Sequence, residues 1–91
     1  MNIQNTDWYV YIVECVDHSF YTGITTDLAR RIDEHNDAST NSKSAKYTRS
    51  RQPVNLVYQE LQKSRSEACK REAEIKKLTK TAKLQLIEKN T

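Results

Sequence analysis

Five residues of this chain carry side chains that handle protons, phosphate or metal: Tyr11, Tyr21, Arg31, His35 and Glu72. None is an obvious nucleophile with a neighbouring base, which argues against a covalent intermediate. The set suits hydrolysis of a phosphodiester by water. A carboxylate can hold a divalent metal that stabilises charge on the phosphate and the leaving oxygen. A guanidinium can clamp the phosphate and stabilise the transition state. A phenol or an imidazole can take the proton of the attacking water. A free phenol is a poor base, with a pKa of about 10. Positive charge from Arg31 and a metal would favour its phenolate.

The elements around these residues must bring them together. Residues 8–13, Trp-Tyr-Val-Tyr-Ile-Val, are aromatic and β-branched, and read as a strand. No polar alternation interrupts them, so both faces should be covered and the strand should be central. Residues 17–19 read as a turn and 20–23 as the returning strand of a hairpin. Side chains alternate faces along a strand. An odd loop puts Tyr11 and Tyr21 on one face, and an even loop separates them. Gly23 is the one glycine in the chain. Such a residue marks a positive φ or the close approach of another group.

Thr25 or Thr26 should cap the next helix, with Leu28 and Ile32 on its buried face. At 100° per residue Arg31 and His35 flank that face, while Arg30 points away. A charge turned toward the sheet needs a partner or a function. Residues 37–52 are polar and read as a loop. Its Lys43, Lys46, Arg49 and Arg51, with Tyr47, could meet a phosphate backbone and stack a base, or could simply be solvated. Pro53 opens a third strand over 54–58. Ser64-Arg65-Ser66-Glu67 fits a capping box and starts a helix running to about Leu78. There Glu72 borders the inward face of Ala68, Cys69, Ile75 and Leu78. A carboxylate so placed should be paired, hydrogen-bonded or bound to metal. Thr79 or Thr81 caps a last helix carrying Leu84, Leu86 and Ile87.

A length of 91 residues fits one domain, taken as 1–91 with its core at about 8–87. No apolar run is long enough to span a membrane, and the start lacks a secretory pattern. Two distant cysteines, Cys15 and Cys69, fit a reducing, cytoplasmic setting. A zinc site from Cys15, His18, His35 and Cys69 would have enough ligands but no usual spacing. All of the 15 Lys and Arg residues except Arg30 and Arg31 lie beyond Asp37. That asymmetry points to an anionic partner, nucleic acid first.

Taken in order, Tyr9-Val10-Tyr11, Tyr21-Thr22-Gly23, Arg31 with His35 four residues on, and Glu72 resemble the GIY-YIG nuclease family. The small single-domain bacterial members are the nearest match. Tyr47-Thr48-Arg49, the segment 53–58 and Arg71-Glu72 with Ile75, Lys76 and Leu78 extend the resemblance over nearly the whole chain. The resemblance implies an α+β fold, a three-stranded antiparallel sheet flanked by helices. It implies DNA cleavage with one divalent metal, Mg²⁺ or Mn²⁺. By the same match Tyr11, Tyr21 and Gly23 belong to the two motifs, Arg31 binds phosphate and Glu72 holds the metal. His35 matches a histidine found in part of the family. Tyr9 stands where the first motif has glycine and Thr22 where the second has isoleucine; neither change removes a reacting group. Many family nucleases carry a second DNA-binding domain, for which this chain leaves no room, so a protein partner could supply specificity. The competing readings are a metal-dependent endonuclease, a non-catalytic nucleic-acid-binding module and a partner-dependent subunit.

Overall fold

The computed structural model describes residues 7–37 and 45–89. The chain runs β1 (Trp8–Glu14), β2 (Phe20–Thr25), α1 (Leu28–His35), α2 (Lys46–Arg49), β3 (Asn55–Gln62), α3 (Arg65–Lys76) and α4 (Lys80–Lys89). The three strands form one antiparallel sheet in the order β2-β1-β3. The fold is therefore α+β, with β1 central as its unbroken apolar run requires.

Both faces of β1 are buried. Val10 and Ile12 pack with Tyr58 of β3 and with Ala68 and Ile75 of α3, and Trp8, Phe20, Leu86 and Ile87 close that cluster. Tyr11, Val13 and Cys15 pack on the other face with Val54, Tyr21 and the α1 residues Leu28 and Ile32. Each fully buried aliphatic side chain contributes about 1.5–3 kcal/mol, so both covers hold the central strand. Among the described residues no helix is long and apolar enough to cross a membrane.

The hairpin loop has three residues, Val16, Asp17 and His18, one position earlier than the 17–19 expected. Cys15 N–H donates to Ser19 O at 2.8 Å and His18 N–H to Cys15 O at 2.9 Å. His18 takes the left-handed conformation, with φ 67°, which matches a three-residue hairpin closed by a left-handed residue. The shift moves the register by two, so parity survives. Tyr21 lies opposite Val13 and Gly23 opposite Tyr11, and both tyrosines share a face.

Other boundaries differ from the sequence reading for local reasons. Asp27, rather than a threonine, caps α1 by accepting from Arg30 N–H at 3.1 Å. Thr25 Oγ1 instead takes the Asp27 N–H. Ser64 and Thr79 do cap α3 and α4, accepting from Glu67 N–H and Ala82 N–H at 3.1 Å each. β3 continues four residues past Tyr58, paired with β1 from Tyr11–Gln59 to Trp8–Gln62, and Glu60 is held there: Tyr58 Oη donates to it, as do Arg71 Nε at 2.9 Å and Gln62 Nε2 at 2.7 Å. Part of the stretch expected as loop is the single turn α2.

Two amides tie the end of α1 to the start of β3. Asn36 Nδ2 donates to Val54 O at 3.1 Å, and Val54 N–H donates back to Asn36 Oδ1 at 2.7 Å. Gln52 Nε2 donates to the carbonyls of His35 and Asp37 at 2.7 and 3.0 Å.

Candidate active site

Tyr11 is the centre of the cluster. β1 points it onto the α1 face, where it is 1% exposed. Its ring lies across the backbone of Gly23: a Cβ there would sit 2.5 Å from Tyr11 Oη and 2.7 Å from Cζ. Gly23 has no positive φ. Of the two needs that a lone glycine could serve, this one serves close approach.

His35, at the end of α1, is fully buried. Its Nε2 lies 2.7 Å from Tyr11 Oη and its Nδ1 2.8 Å from Thr48 Oγ1. Thr48 Oγ1 is in turn 3.1 Å from Ala45 O. Tyr21 is half-buried beside them, its ring edge-on to His35 at 5.3 Å and stacked with Tyr47 at 5.9 Å.

Arg31 points toward the sheet and has a partner that sequence reading missed. Its Nη1 donates to Glu34 Oε1 at 2.8 Å, and both side chains are largely buried. The guanidinium is also within hydrogen-bonding reach of the Tyr11 phenol. Burial works against the Arg31 charge, but the bonds to Glu34 and Tyr11 outweigh it and hold the group above its ordinary range. The three-residue spacing of Arg31 and Glu34 was the available signal.

Burial pushes the Tyr11 phenol up to about 12, against the lowering pull of Arg31. Against Arg31 alone, desolvation wins and the phenol stays neutral at neutral pH. Burial, then the Arg31 charge, lowers His35 to about 4. At neutral pH the cluster holds a neutral phenol against a neutral imidazole.

This has a measurable consequence for stability. The unfolded chain binds a proton at His35 below pH 6.5, whereas the fold refuses it until about pH 4. The contribution is fully present above pH 6.5 and is lost as pH falls through about 4. The loss amounts to about 3 kcal/mol at 1.36 kcal/mol per unit. Urea unfolding at pH 7 and pH 4 should show a drop smaller by about that amount in His35→Gln, since the carboxylates titrate equally in both proteins.

Glu72 comes from α3, which packs against β1 and β2. It lies on the stripe between the buried Ala68 and Ile75, its side chain 22% exposed. Its charge bears on the Tyr11 phenol. Lys76 Nζ stands 3.2 Å from its Oε2, so the carboxylate already faces a cation. Among the described residues no group of three or more His, Cys, Asp or Glu side chains could hold a metal. That excludes the zinc arrangement there, and both nitrogens of His35 are in any case engaged. A single hard carboxylate fits Mg²⁺ or Mn²⁺, which keep waters and take substrate oxygens for the rest of their shell.

Lys43 lies outside the described residues. Lys46 and Arg49 are exposed on α2, and Tyr47 is 38% exposed. Arg51 is turned inward to the protein: Nε donates to Asp17 at 3.1 Å, Nη1 to Tyr47 O at 2.8 Å, and its guanidinium sits 4.0 Å from the Tyr47 ring centre.

The model of the GIY-YIG catalytic domain matches residues 7–85, and the chain belongs to this nuclease superfamily. Within it, the chain is similar to the UPF0213 proteins. It is 58% identical over 80 residues to UPF0213 protein DP2720 of Desulfotalea psychrophila, covering 88% of this chain and 70% of that one. Two solution NMR structures share its fold. UPF0213 protein BH0048 of Bacillus halodurans gives a TM-score of 0.56 at 46% identity, covering 90% of this chain and 83% of that one. Protein EF2693 of E. faecalis gives 0.58 at 42%, covering 88% and 82%.

Proposed function

We propose that this chain is a metal-dependent endonuclease that hydrolyses DNA phosphodiester bonds in the cytoplasm. The observation that carries the reading is the Tyr11 hydroxyl, held against His35 Nε2 at 2.7 Å and beside the Arg31 guanidinium. In this reading Arg31 receives the scissile phosphate. Tyr11 Oη takes a proton from the attacking water as its own proton passes to His35 Nε2. The hydroxide oxygen then forms the new P–O bond, and the bond to the leaving oxygen breaks with its electron pair. A phosphate at Arg31 offsets the charge that lowers His35, so substrate itself makes the imidazole a better acceptor. A divalent ion bound at Glu72 supplies charge stabilisation. Tyr21, half-buried, faces the same space and orients the water. Lys46, Arg49 and, outside the described residues, Lys43 meet the neighbouring phosphates, Tyr47 offers a stacking face, and Arg51 holds Tyr47 in place.

The test is cleavage of labelled single-stranded, duplex and branched DNA with Mg²⁺, Mn²⁺ or EDTA. Wild type should cut with metal and stop with EDTA. Arg31→Ala should lose about 100-fold or more in rate, the usual effect of removing a charge-stabilising donor. Glu72→Gln should need higher metal concentration. If both variants cut like wild type, the assignment is wrong. If pure wild type binds DNA and does not cut it, the chain is a binding module.

A further inference from the structure

Thr48 has no part in the chemistry described above, yet its hydroxyl is fully buried against it. Its Oγ1 lies between His35 Nδ1 at 2.8 Å and Ala45 O at 3.1 Å. A hydroxyl has one proton, and a carbonyl can only accept. Ala45 O also accepts the backbone N–H groups of Thr48 at 3.1 Å and Arg49 at 3.0 Å, so the other side of the ring decides where the Thr48 proton goes; with it on Ala45, a lone pair faces the imidazole. Nδ1 must then carry a hydrogen, and in a neutral ring Nε2 is left bare.

The other end of the chain of hydrogen bonds decides. The Tyr11 hydroxyl stands beside the Arg31 guanidinium, which can donate but not accept. Its own proton needs an acceptor, and a buried donor left without one costs about 1–3 kcal/mol. His35 Nε2, at 2.7 Å, accepts it. Among the described residues the opposite orientation would leave that proton without an acceptor. Among the described residues the Tyr21 ring lies edge-on to His35, and Arg31 and Glu34 act on it through their charges.

We propose that Thr48 is a positioning residue that locks His35 as the Nδ1–H tautomer, leaving Nε2 open to receive the Tyr11 proton. The use of that proton in hydrolysis rests on the nuclease reading; the tautomer does not. The role also explains a buried hydroxyl on a turn whose neighbours Lys46, Tyr47 and Arg49 are exposed. Threonine and valine have nearly the same shape, so packing alone would be satisfied by either.

The experiment is long-range ¹⁵N–¹H correlation on ¹⁵N-histidine-labelled protein near neutral pH, with His18→Gln removing the other histidine. In wild type and in Thr48→Ser, His35 should show a protonated Nδ1 and a bare Nε2. In Thr48→Val it should shift toward the Nε2–H form or a mixture. DNA cleavage by Thr48→Val should lose about 10- to 100-fold in kcat, as when an orienting hydrogen bond to a working histidine is removed, with KM little changed and Thr48→Ser restoring the rate. A wild-type spectrum showing Nε2–H overturns the proposal, as does a Thr48→Val spectrum identical to wild type. The wild-type and Thr48→Ser spectra decide the matter even if Thr48→Val fails to fold. Absence of cleavage by wild type with the Nδ1–H tautomer present would overturn the nuclease reading and leave the Thr48 assignment standing.

Discussion

Tyr11→Phe should cut DNA about 10²- to 10⁴-fold more slowly than wild type, the range that a positioned proton-transfer group supplies. The substitution keeps the ring that fills the space over Gly23 and removes the oxygen shared between Arg31 and His35. The fold should persist, with a stability loss of about 1–3 kcal/mol for the buried His35 nitrogen left without its donor. Single-turnover cleavage at saturating metal, beside a denaturation curve, separates the two effects. A variant that keeps the wild-type rate would mean that Tyr11 does not handle the proton, and Tyr21 would take its place in the scheme. Raising the pH should not rescue the variant. Wild type, whose phenol ionises at about 12, should show no activation limb near pH 10.

Gly23→Ala should be nearly as damaging, by a different route. The backbone at Gly23 has no positive φ, so alanine meets no conformational penalty. It even gains about 0.4–1 kcal/mol by restricting the unfolded chain. Opposing this, its Cβ would sit 2.5 Å from Tyr11 Oη and 2.7 Å from Cζ. The phenol is fixed by His35 on one side and by the core on the other, so it cannot yield without leaving its hydrogen bond. Overpacking costs about 1–3 kcal/mol, and the broken buried pair about 1–3 more. The clash therefore wins, with a net loss of about 1–5 kcal/mol and cleavage reduced with it. Because both changes act on one contact, the Tyr11→Phe/Gly23→Ala double variant should lose less stability than the two single losses added together. Simple additivity in urea unfolding would show that the contact is not shared.

What the sequence made legible was whatever leaves a mark of burial or periodicity. The apolar run of β1 announced a central strand. Strand parity placed Tyr11 and Tyr21 together even though the loop sits one residue earlier than expected, because a shift of the register by two preserves the face. The wheel of α1 put Arg31 and His35 on its inner side, and that of α3 put Glu72 at the edge of the core. Polar residues buried through one another left no such mark. Thr48 sits in a stretch that reads as solvated loop, and its burial comes from His35, thirteen residues earlier. The end of β3 is held by a carboxylate, an arginine and an amide rather than by apolar side chains. How far burial raises the Tyr11 phenol was not legible either, because a sequence shows which charges are near but not how much water is excluded.

The amide ties of Asn36 and Gln52 bear on how this chain can change over evolutionary time. They fasten the last turn of α1 to the entrance of β3 by four hydrogen bonds, and Thr48 anchors the α2 turn between them. Residues 38–44 thus connect two points whose positions are set by other contacts. Lengthening a segment between fixed ends costs slowly, about 0.6 kcal/mol for each doubling. Insertions there leave His35 and its hydrogen bonds where they are, so the sequence between the two ends can drift without the buried cluster having to be rebuilt.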